Sequence, residues 1–137
     1  MVPRSPRQPW WRRWFGSQAE QIAADFLVRQ GHRILARNWR CRSGELDLVT
    51  ADGEVVVFVE VRSTASADAS RPALSVTEAK QQRLTLLATA FLQSQGLLGR
   101  PARFDVVCVH WSGEPGEAEV QHFVNAFPAA GSFDAFA

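Results

Sequence analysis

Three acidic residues, Glu45, Asp47 and Glu60, lie in two neighbouring segments that have the residue pattern of β-strands. The dipeptide Asp52-Gly53 between the segments is a strong signal for a tight hairpin turn. Side chains alternate between the two faces of a strand, and residues opposite each other share a face. We therefore expect the three carboxylates to converge, with Glu45 opposite Glu60. Like charges that face each other destabilise a sheet, so the arrangement predicts a bound cation, Mg²⁺ or Mn²⁺.

The same turn predicts a register for the hairpin. If Asp52-Gly53 forms a two-residue loop, Ala51 pairs with Glu54. Counting outward from that pair places Asp47 opposite Phe58.

Two carboxylates around one divalent ion suit the hydrolysis of a phosphodiester. An ion bound by Asp47 and Glu60 lowers the pKa of the attacking water and neutralises charge on the phosphate oxygens. Arg62, on the same face as Glu60, is placed to stabilise the charge of the transition state. The alternative is that these acids lie on a solvated face of the sheet and bind nothing. The unbroken apolar run from Val55 to Val59 argues against it, because such runs are typical of buried central strands.

Further charged residues fall on or beside the apolar stripes of predicted helices. Glu20, on the first helix, either reaches the carboxylate patch or is simply an acid favoured by the helix dipole. Lys80, on the second helix, either contacts the scissile phosphate or a site carboxylate, or extends along the surface to solvent. Arg83, about one turn further, is a weaker candidate for a phosphate contact.

The elements that must position these residues follow from periodicity and turn signals. The first helix is expected over 16–30, capped by Gly16 or Ser17, and the second over 75–95, with Ser75 and Glu78 as a capping box. Strands are expected over 33–39, 44–51, 54–62, 103–111 and 118–124. The order α-β-β-β-α-β-β predicts a mixed sheet with helices packed on it.

The composition is that of a globular domain and excludes several classes. The chain has 137 residues, 46% of them hydrophobic and 21% charged, which fits one domain. It has no apolar stretch long enough to span a membrane and no signal-peptide core, so we expect a cytoplasmic protein. Cys41 and Cys108 are expected to be reduced thiols. No Ser-His-Asp order, phosphate-binding glycine loop or zinc spacing is present, and the three histidines are not expected to cluster.

The chain is expected to divide into a flexible basic arm (1–16), the end of which is a candidate helix, a folded domain (17–127) and a loose C-terminal tail (128–137). In the arm, Arg12 and Arg13 stand beside Trp14, a combination that suits nucleic acid through phosphate contacts and base stacking. The alternative is a disordered tail whose tryptophans cover an apolar patch.

Several motifs together resemble the bacterial YraN-like family. They are Gln18-Ala19-Glu20, Ile34-Leu35-Ala36-Arg37-Asn38, Gly44-Glu45-Leu46-Asp47-Leu48, Val57-Phe58-Val59-Glu60-Val61-Arg62, Lys80 with Arg83-Leu84, and Arg103-Phe104-Asp105-Val106-Val107. The match covers about residues 17–127. That family is similar to restriction-endonuclease-like nucleases of the PD-(D/E)xK type and to Holliday-junction resolvases.

The resemblance implies an α/β fold with a restriction-endonuclease-like αβββαβ core, a mixed central sheet flanked by helices, and a metal-dependent phosphodiesterase site. The catalytic aspartate of the nuclease motif falls on Asp47, its Glu-x-Lys falls on Glu60–Arg62, and the first-helix glutamate of resolvase-like members falls on Glu20. This sequence departs from the motif in two ways: the residue before Asp47 is not proline, and arginine replaces the lysine at position 62.

The second departure bears on the mechanism. An arginine stays protonated, so Arg62 can stabilise charge but cannot act as a base. Either metal-bound water is activated without a base, or Lys80 supplies the missing amine, or the fold has lost catalysis.

Two functions from different classes remain. The first is a Mg²⁺- or Mn²⁺-dependent endonuclease that cuts DNA in preference to RNA, with branched or structured DNA as the favoured substrate. The alternative is a non-catalytic nucleic-acid-binding or partner module on a nuclease fold, which Arg62 and the net charge of only +1 favour. Resolvase-like enzymes act as dimers, so the resemblance allows a homodimer. Asp105 is expected to be structural, paired with Arg103 or Arg37.

Overall fold

A computed structural model describes the backbone of residues 10–64, 76–111 and 117–129, and the side chains of these ranges from residue 18 onward. Two helices and five strands follow one another in the predicted order. They are α1 (Trp10–Arg29), β1 (Arg33–Cys41), β2 (Gly44–Asp52), β3 (Val55–Thr64), α2 (Glu78–Ser94), β4 (Ala102–Trp111) and β5 (Ala118–Phe127).

The five strands form one sheet in the order β1-β2-β3-β4-β5. The pairing of β3 with β4 is parallel, and the other three pairings are antiparallel. A parallel pair needs a crossover connection, and α2 lies in it. The predicted fold class, an α/β protein with a restriction-endonuclease-like core and a mixed sheet, is confirmed.

The helices pack on opposite faces of the sheet and create two cores. On one face α1 buries Ala19, Ala23, Ala24 and Leu27 against valines of β3 and β4. On the other face the buried stripe of α2, which includes Leu84, Leu87 and Phe91, packs on Phe58 and Phe104. Because β3 lies between two strands and two helices, its residues 56–59 are buried on both faces, as the apolar run predicts.

The predicted register of the β2–β3 hairpin is wrong. Asp52 pairs with Val55, so the loop is Gly53-Glu54 and Ala51 does not pair with Glu54. Gly53 is thereby the first loop residue and has a φ of +60°, the position at which a type II′ turn requires glycine.

The corrected register changes the neighbours of the acidic residues. Leu48 pairs with Val59, and counting on from that pair places Asp47 opposite Glu60 instead of Phe58. Glu45 is not opposite Glu60, because the same counting places it opposite Arg62, beyond the end of the ladder. On its other side Glu45 pairs with Arg40 of β1.

Both predicted helix starts are also wrong. Helix α1 begins at Trp10, so Gly16 and Ser17 lie inside it. Helix α2 begins at Glu78 with Thr77 as its N-cap, and the Thr77 hydroxyl accepts a hydrogen bond from the Lys80 N–H at 3.1 Å. A side-chain oxygen at the N-cap satisfies a free N–H of the first turn. The predicted cap Ser75, like residues 1–9 of the arm and 130–137 of the tail, lies outside the described residues.

Within the described ranges, no helix is both long enough and apolar enough to cross a membrane. Cys41 and Cys108 are both free thiols, as expected.

Candidate functional site

The candidate site lies where β2 and β3 separate. Their ladder runs from the hairpin loop to the Leu48–Val59 pair and stops there. Beyond that pair, β3 continues alongside β4 through Glu60 and Val61. The Asp47 carboxylate accepts a hydrogen bond from the Val61 N–H at 3.0 Å. A side-chain oxygen thus binds β3 at the point where the ladder has ended, which fixes Asp47 in the fork between the strands.

Asp47 has a strongly perturbed pKa. Burial, and after it the negative charge of Glu60, raises the pKa of its carboxyl from 3.8 to about 7. The hydrogen bond from Val61 acts in the opposite direction but does not compensate. A buried carboxylate beside a like charge is stabilised by any cation that binds between them, and such perturbed groups are typical of functional sites.

The four acids that the sequence singles out interact electrostatically. The charges of Glu20, Glu45 and Glu60 all raise the pKa of Asp47. Burial raises the pKa of Glu20, a hydrogen bond with the Asn38 side chain opposes this, and the charges of Glu45 and Glu60 add to it. The first helix, β2 and β3 therefore each contribute acidic side chains to one cluster, which we call the acidic cluster: Glu20, Glu45, Asp47 and Glu60.

Lys80 supplies a cation to this cluster. Its ammonium nitrogen lies 2.6 Å from Oε1 of Glu60. The Glu60 side chain is only 13% exposed, whereas that of Lys80 is 42% exposed. Of the arrangements expected for Lys80, the observed one is contact with a site carboxylate.

Glu45 contributes charge to the cluster, but its carboxylate is engaged elsewhere. It accepts a hydrogen bond from Nε of Arg40 at 3.1 Å. Among the described residues, no three histidine, cysteine, aspartate or glutamate side chains converge to hold a metal ion by themselves. Mg²⁺, however, is commonly bound by one or two carboxylates together with water and substrate phosphate. The pair that fits this requirement is Asp47 with Glu60.

A small cavity adjoins the two carboxylates. Its volume is about 10 Å³, room for about one water molecule. The lining side chains are Leu46, Asp47, Phe58, Val59, Glu60, Leu84, Phe104 and Phe127. Since all but two of them are apolar, charges in this cavity interact more strongly than charges in bulk water.

The predicted arginines differ in what the structure describes of them. Arg62 is two residues beyond Glu60 on the same face of β3 and is paired with Cys108 of β4. Its charge lowers the pKa of the Cys108 thiol, although the raising effect of burial is larger. Arg83 is exposed on α2. The side chains of Arg12, Arg13 and Trp14 lie outside the described residues.

A second polar cluster, around Asp105, was not predicted in full. Asp105 is completely buried and accepts hydrogen bonds from Arg103 at 3.0 Å, from His122 at 2.7 Å and from the Asn125 N–H at 2.9 Å. The expected pairing with Arg103 is confirmed. The expectation that the histidines do not cluster is wrong, because the rings of His32 and His122 lie 5.9 Å apart.

The available signal was the alternation along β4 and β5. His122 pairs with Val107, two residues beyond Asp105, so the two polar side chains share a face. His32 follows α1 in the sequence, and no pattern in the sequence indicates that it approaches β5. Its Nδ1 lies 2.8 Å from the Thr50 hydroxyl. This cluster joins the chain after α1 to three strands of the sheet.

Residues 19–109 match the family model described as "Uncharacterised protein family UPF0102". The chain belongs to the UPF0102 family. The predicted resemblance to YraN-like proteins is thereby confirmed, and the matched range contains Asp47, Glu60 and Lys80.

Individual UPF0102 proteins of bacteria are similar along most of their length. One from Pseudomonas entomophila is 48% identical over 113 residues, which are 82% of this chain and 91% of that protein. One from Symbiobacterium thermophilum is 46% identical over 114 residues, 83% of this chain and 96% of that protein. One from Pelotomaculum thermopropionicum is 44% identical over 116 residues, 85% and 97% respectively. Their names give the family and no activity, so a function must be argued from the site.

Proposed function

We propose that this UPF0102 protein is a Mg²⁺- or Mn²⁺-dependent endonuclease that hydrolyses phosphodiester bonds in DNA, with branched or structured DNA as the favoured substrate. The observation that carries the proposal is the convergence of Asp47 and Glu60 in the fork between β2 and β3. Two buried like charges destabilise a fold unless a cation compensates them. A site that keeps this arrangement is therefore suited to binding a divalent ion.

The residues present fit a hard divalent ion. The donors are carboxylate oxygens, the ligands that Mg²⁺ and Mn²⁺ prefer. The adjoining cavity of about 10 Å³ lies against both carboxylates. An ion bound to these carboxylates supplies water of lowered pKa and neutralises charge on the phosphate oxygens.

The other residues of the site have separate roles in this proposal. Glu20 orients a water molecule from the side of α1 or takes part in binding a second ion. Arg62, on the same face as Glu60, stabilises the additional negative charge of the phosphate in the transition state. Arg62 cannot accept a proton at neutral pH. In this proposal Lys80 therefore supplies the amine that the lysine of the nuclease motif would otherwise provide.

A cleavage assay tests this function. Four-way junctions, single-stranded DNA and linear duplexes are incubated with the protein in Mg²⁺, Mn²⁺ or EDTA. We expect cutting in the presence of metal only, and a decrease of about 100-fold or more in Asp47→Asn and Glu60→Gln. Glu54→Gln, which changes an exposed acid in the hairpin loop, is the matched control and should cut as wild type does. Unchanged cleavage by the Asp47 and Glu60 variants would refute the assignment.

A non-catalytic nucleic-acid-binding or partner module is the second candidate. The observation that favours it is that Arg62 stands in the position of the motif lysine while Glu60 is engaged by Lys80. This function predicts salt-sensitive DNA binding without turnover in any metal. A calorimetric metal titration of wild type and Asp47→Asn separates the candidates. Saturable binding that the variant loses supports the metal site.

A further inference from the structure

We propose that Lys80 is an exchangeable internal cation, which neutralises Glu60 in the metal-free protein and leaves Glu60 when a divalent ion binds. The inference rests on the proposed metal site at Asp47 and Glu60. In the metal-free protein, the ammonium group of Lys80 neutralises the charge of Glu60. The metal must then compete with Lys80 for Glu60.

The contact between Lys80 and Glu60 is close and unequal in its exposure to solvent. The ammonium nitrogen is 2.6 Å from Oε1 of Glu60, with the Glu60 side chain 13% exposed and the Lys80 side chain 42% exposed. The Glu60 side chain is therefore mostly buried, whereas the Lys80 side chain is partly exposed to solvent. It can exchange its carboxylate contact for water without opening the core.

The backbone of Lys80 is anchored independently of its side chain. The Lys80 N–H donates to the Thr77 hydroxyl that caps α2, which fixes the start of the helix. The four-carbon stem of a lysine is flexible and carries a compact point charge. The ammonium can thus move while the helix stays in place.

The electrostatics of the cluster require competition. Lys80 and a divalent ion would both be attracted to the charge of Glu60, and they would repel each other at contact distance. The Arg40 guanidinium is paired with Glu45. Lys80 is the cation in direct contact with Glu60, at 2.6 Å, so its removal should increase the negative potential at Asp47 and Glu60.

The experiment compares full-length wild type with Lys80→Met, Lys80→Arg and Arg100→Met. Lys80→Met keeps an aliphatic stem and removes the charge, Lys80→Arg retains a charge, and Arg100→Met removes an exposed charge at the far end of the α2–β4 connection. Mg²⁺ and Mn²⁺ affinities are measured by calorimetry. Thermal unfolding is recorded in EDTA and at saturating metal.

We expect Lys80→Met to bind metal about tenfold more tightly than wild type, because it removes a competing unit charge. In EDTA the variant should unfold at a lower temperature than wild type, and saturating metal should reduce that difference. Arg100→Met should match wild type in both measurements. The metal affinity and unfolding temperature of Lys80→Arg should be closer to those of wild type than to those of Lys80→Met.

Two results would overturn the inference and leave the proposed metal site intact. One is metal binding by Lys80→Met with unchanged or weaker affinity. The other is an equal loss of thermal stability with and without metal, which would assign Lys80 a purely structural role. A wild type and a Lys80→Met variant that both fail to bind either metal would overturn the inference and the proposed metal site together.

Discussion

Replacing Asp47 with asparagine should make the metal-free protein more stable. The pKa of Asp47 is raised from 3.8 to about 7, chiefly by burial and then by the charge of Glu60. In the unfolded chain the carboxyl ionises near its ordinary value. Between these two pH values the unfolded state releases a proton that the folded state retains, so stability falls as the pH rises towards 7 and is then constant. Above pH 7, the shifted pKa of Asp47 lowers the free energy of unfolding by about 4 kcal/mol.

The Asp47→Asn substitution removes this pH-dependent contribution to the free energy of unfolding. An asparagine is uncharged at every pH, and its side-chain oxygen can still accept the hydrogen bond from the Val61 N–H. We expect the variant to be more stable than wild type by about 2–4 kcal/mol at pH 8, an increase in Tm on the order of 10 °C. Near pH 4 the variant and wild type should have nearly the same stability.

Thermal unfolding in EDTA at pH 4 and pH 8, followed by circular dichroism, measures this difference. Asp25→Asn makes the same chemical change at an exposed site on α1 and should leave Tm nearly unchanged at both pH values. Equal stability of Asp47→Asn and wild type at pH 8 would refute the argument. So would a stabilisation of the same size at pH 4, since that effect could not come from the charge.

The remaining predictions concern stability elsewhere in the fold. Asp105→Ala should lower the free energy of unfolding by about 3–5 kcal/mol in urea titrations, because Arg103 and His122 lose their buried anionic partner; a loss below 1 kcal/mol contradicts this. Burial lowers the pKa of His32, so the contribution of this residue to stability should decrease as the pH falls below about 6.5, opposite in sign to that of Asp47. In thermal unfolding, Asp47→Asn/His32→Gln should therefore lose less stability than Asp47→Asn over that range. Gly44→Ala should cost about 1–3 kcal/mol in thermal unfolding, because φ is +145° there, a backbone conformation that residues with a Cβ rarely adopt.

The hairpin illustrates which features of the site a sequence can predict. The dipeptide Asp52-Gly53 indicates a tight turn but fits two frames, with glycine second or first in the loop. The observed frame has glycine first, and the Asp52 side chain pairs with Arg103, a contact between residues 51 positions apart in the sequence. Local signals contain no information about such a contact.

The prediction that Asp47 and Glu60 share a face holds in spite of this error. Moving the loop by one residue changes each partner by two positions, and side chains two positions apart lie on the same face of a strand. The alternation of β2 and β3 was therefore sufficient to bring these carboxylates together. The contact of Lys80 with Glu60 was one of several expected arrangements, because a helical stripe gives the direction of a side chain but not its partner.

The two clusters differ most clearly in their aspartates, which lie in the same sheet. Asp105 receives hydrogen bonds from Arg103, His122 and a backbone N–H, and these partners lower the pKa of its carboxyl despite complete burial. Asp47 receives one backbone hydrogen bond and lies near like charges, so the pKa of its carboxyl is raised. The fold supplies Asp105 with the partners that a structural carboxylate needs, whereas at Asp47 negative charge remains in excess. That excess is the physical reason for assigning ligand binding to the cluster around Asp47 and a structural role to the cluster around Asp105.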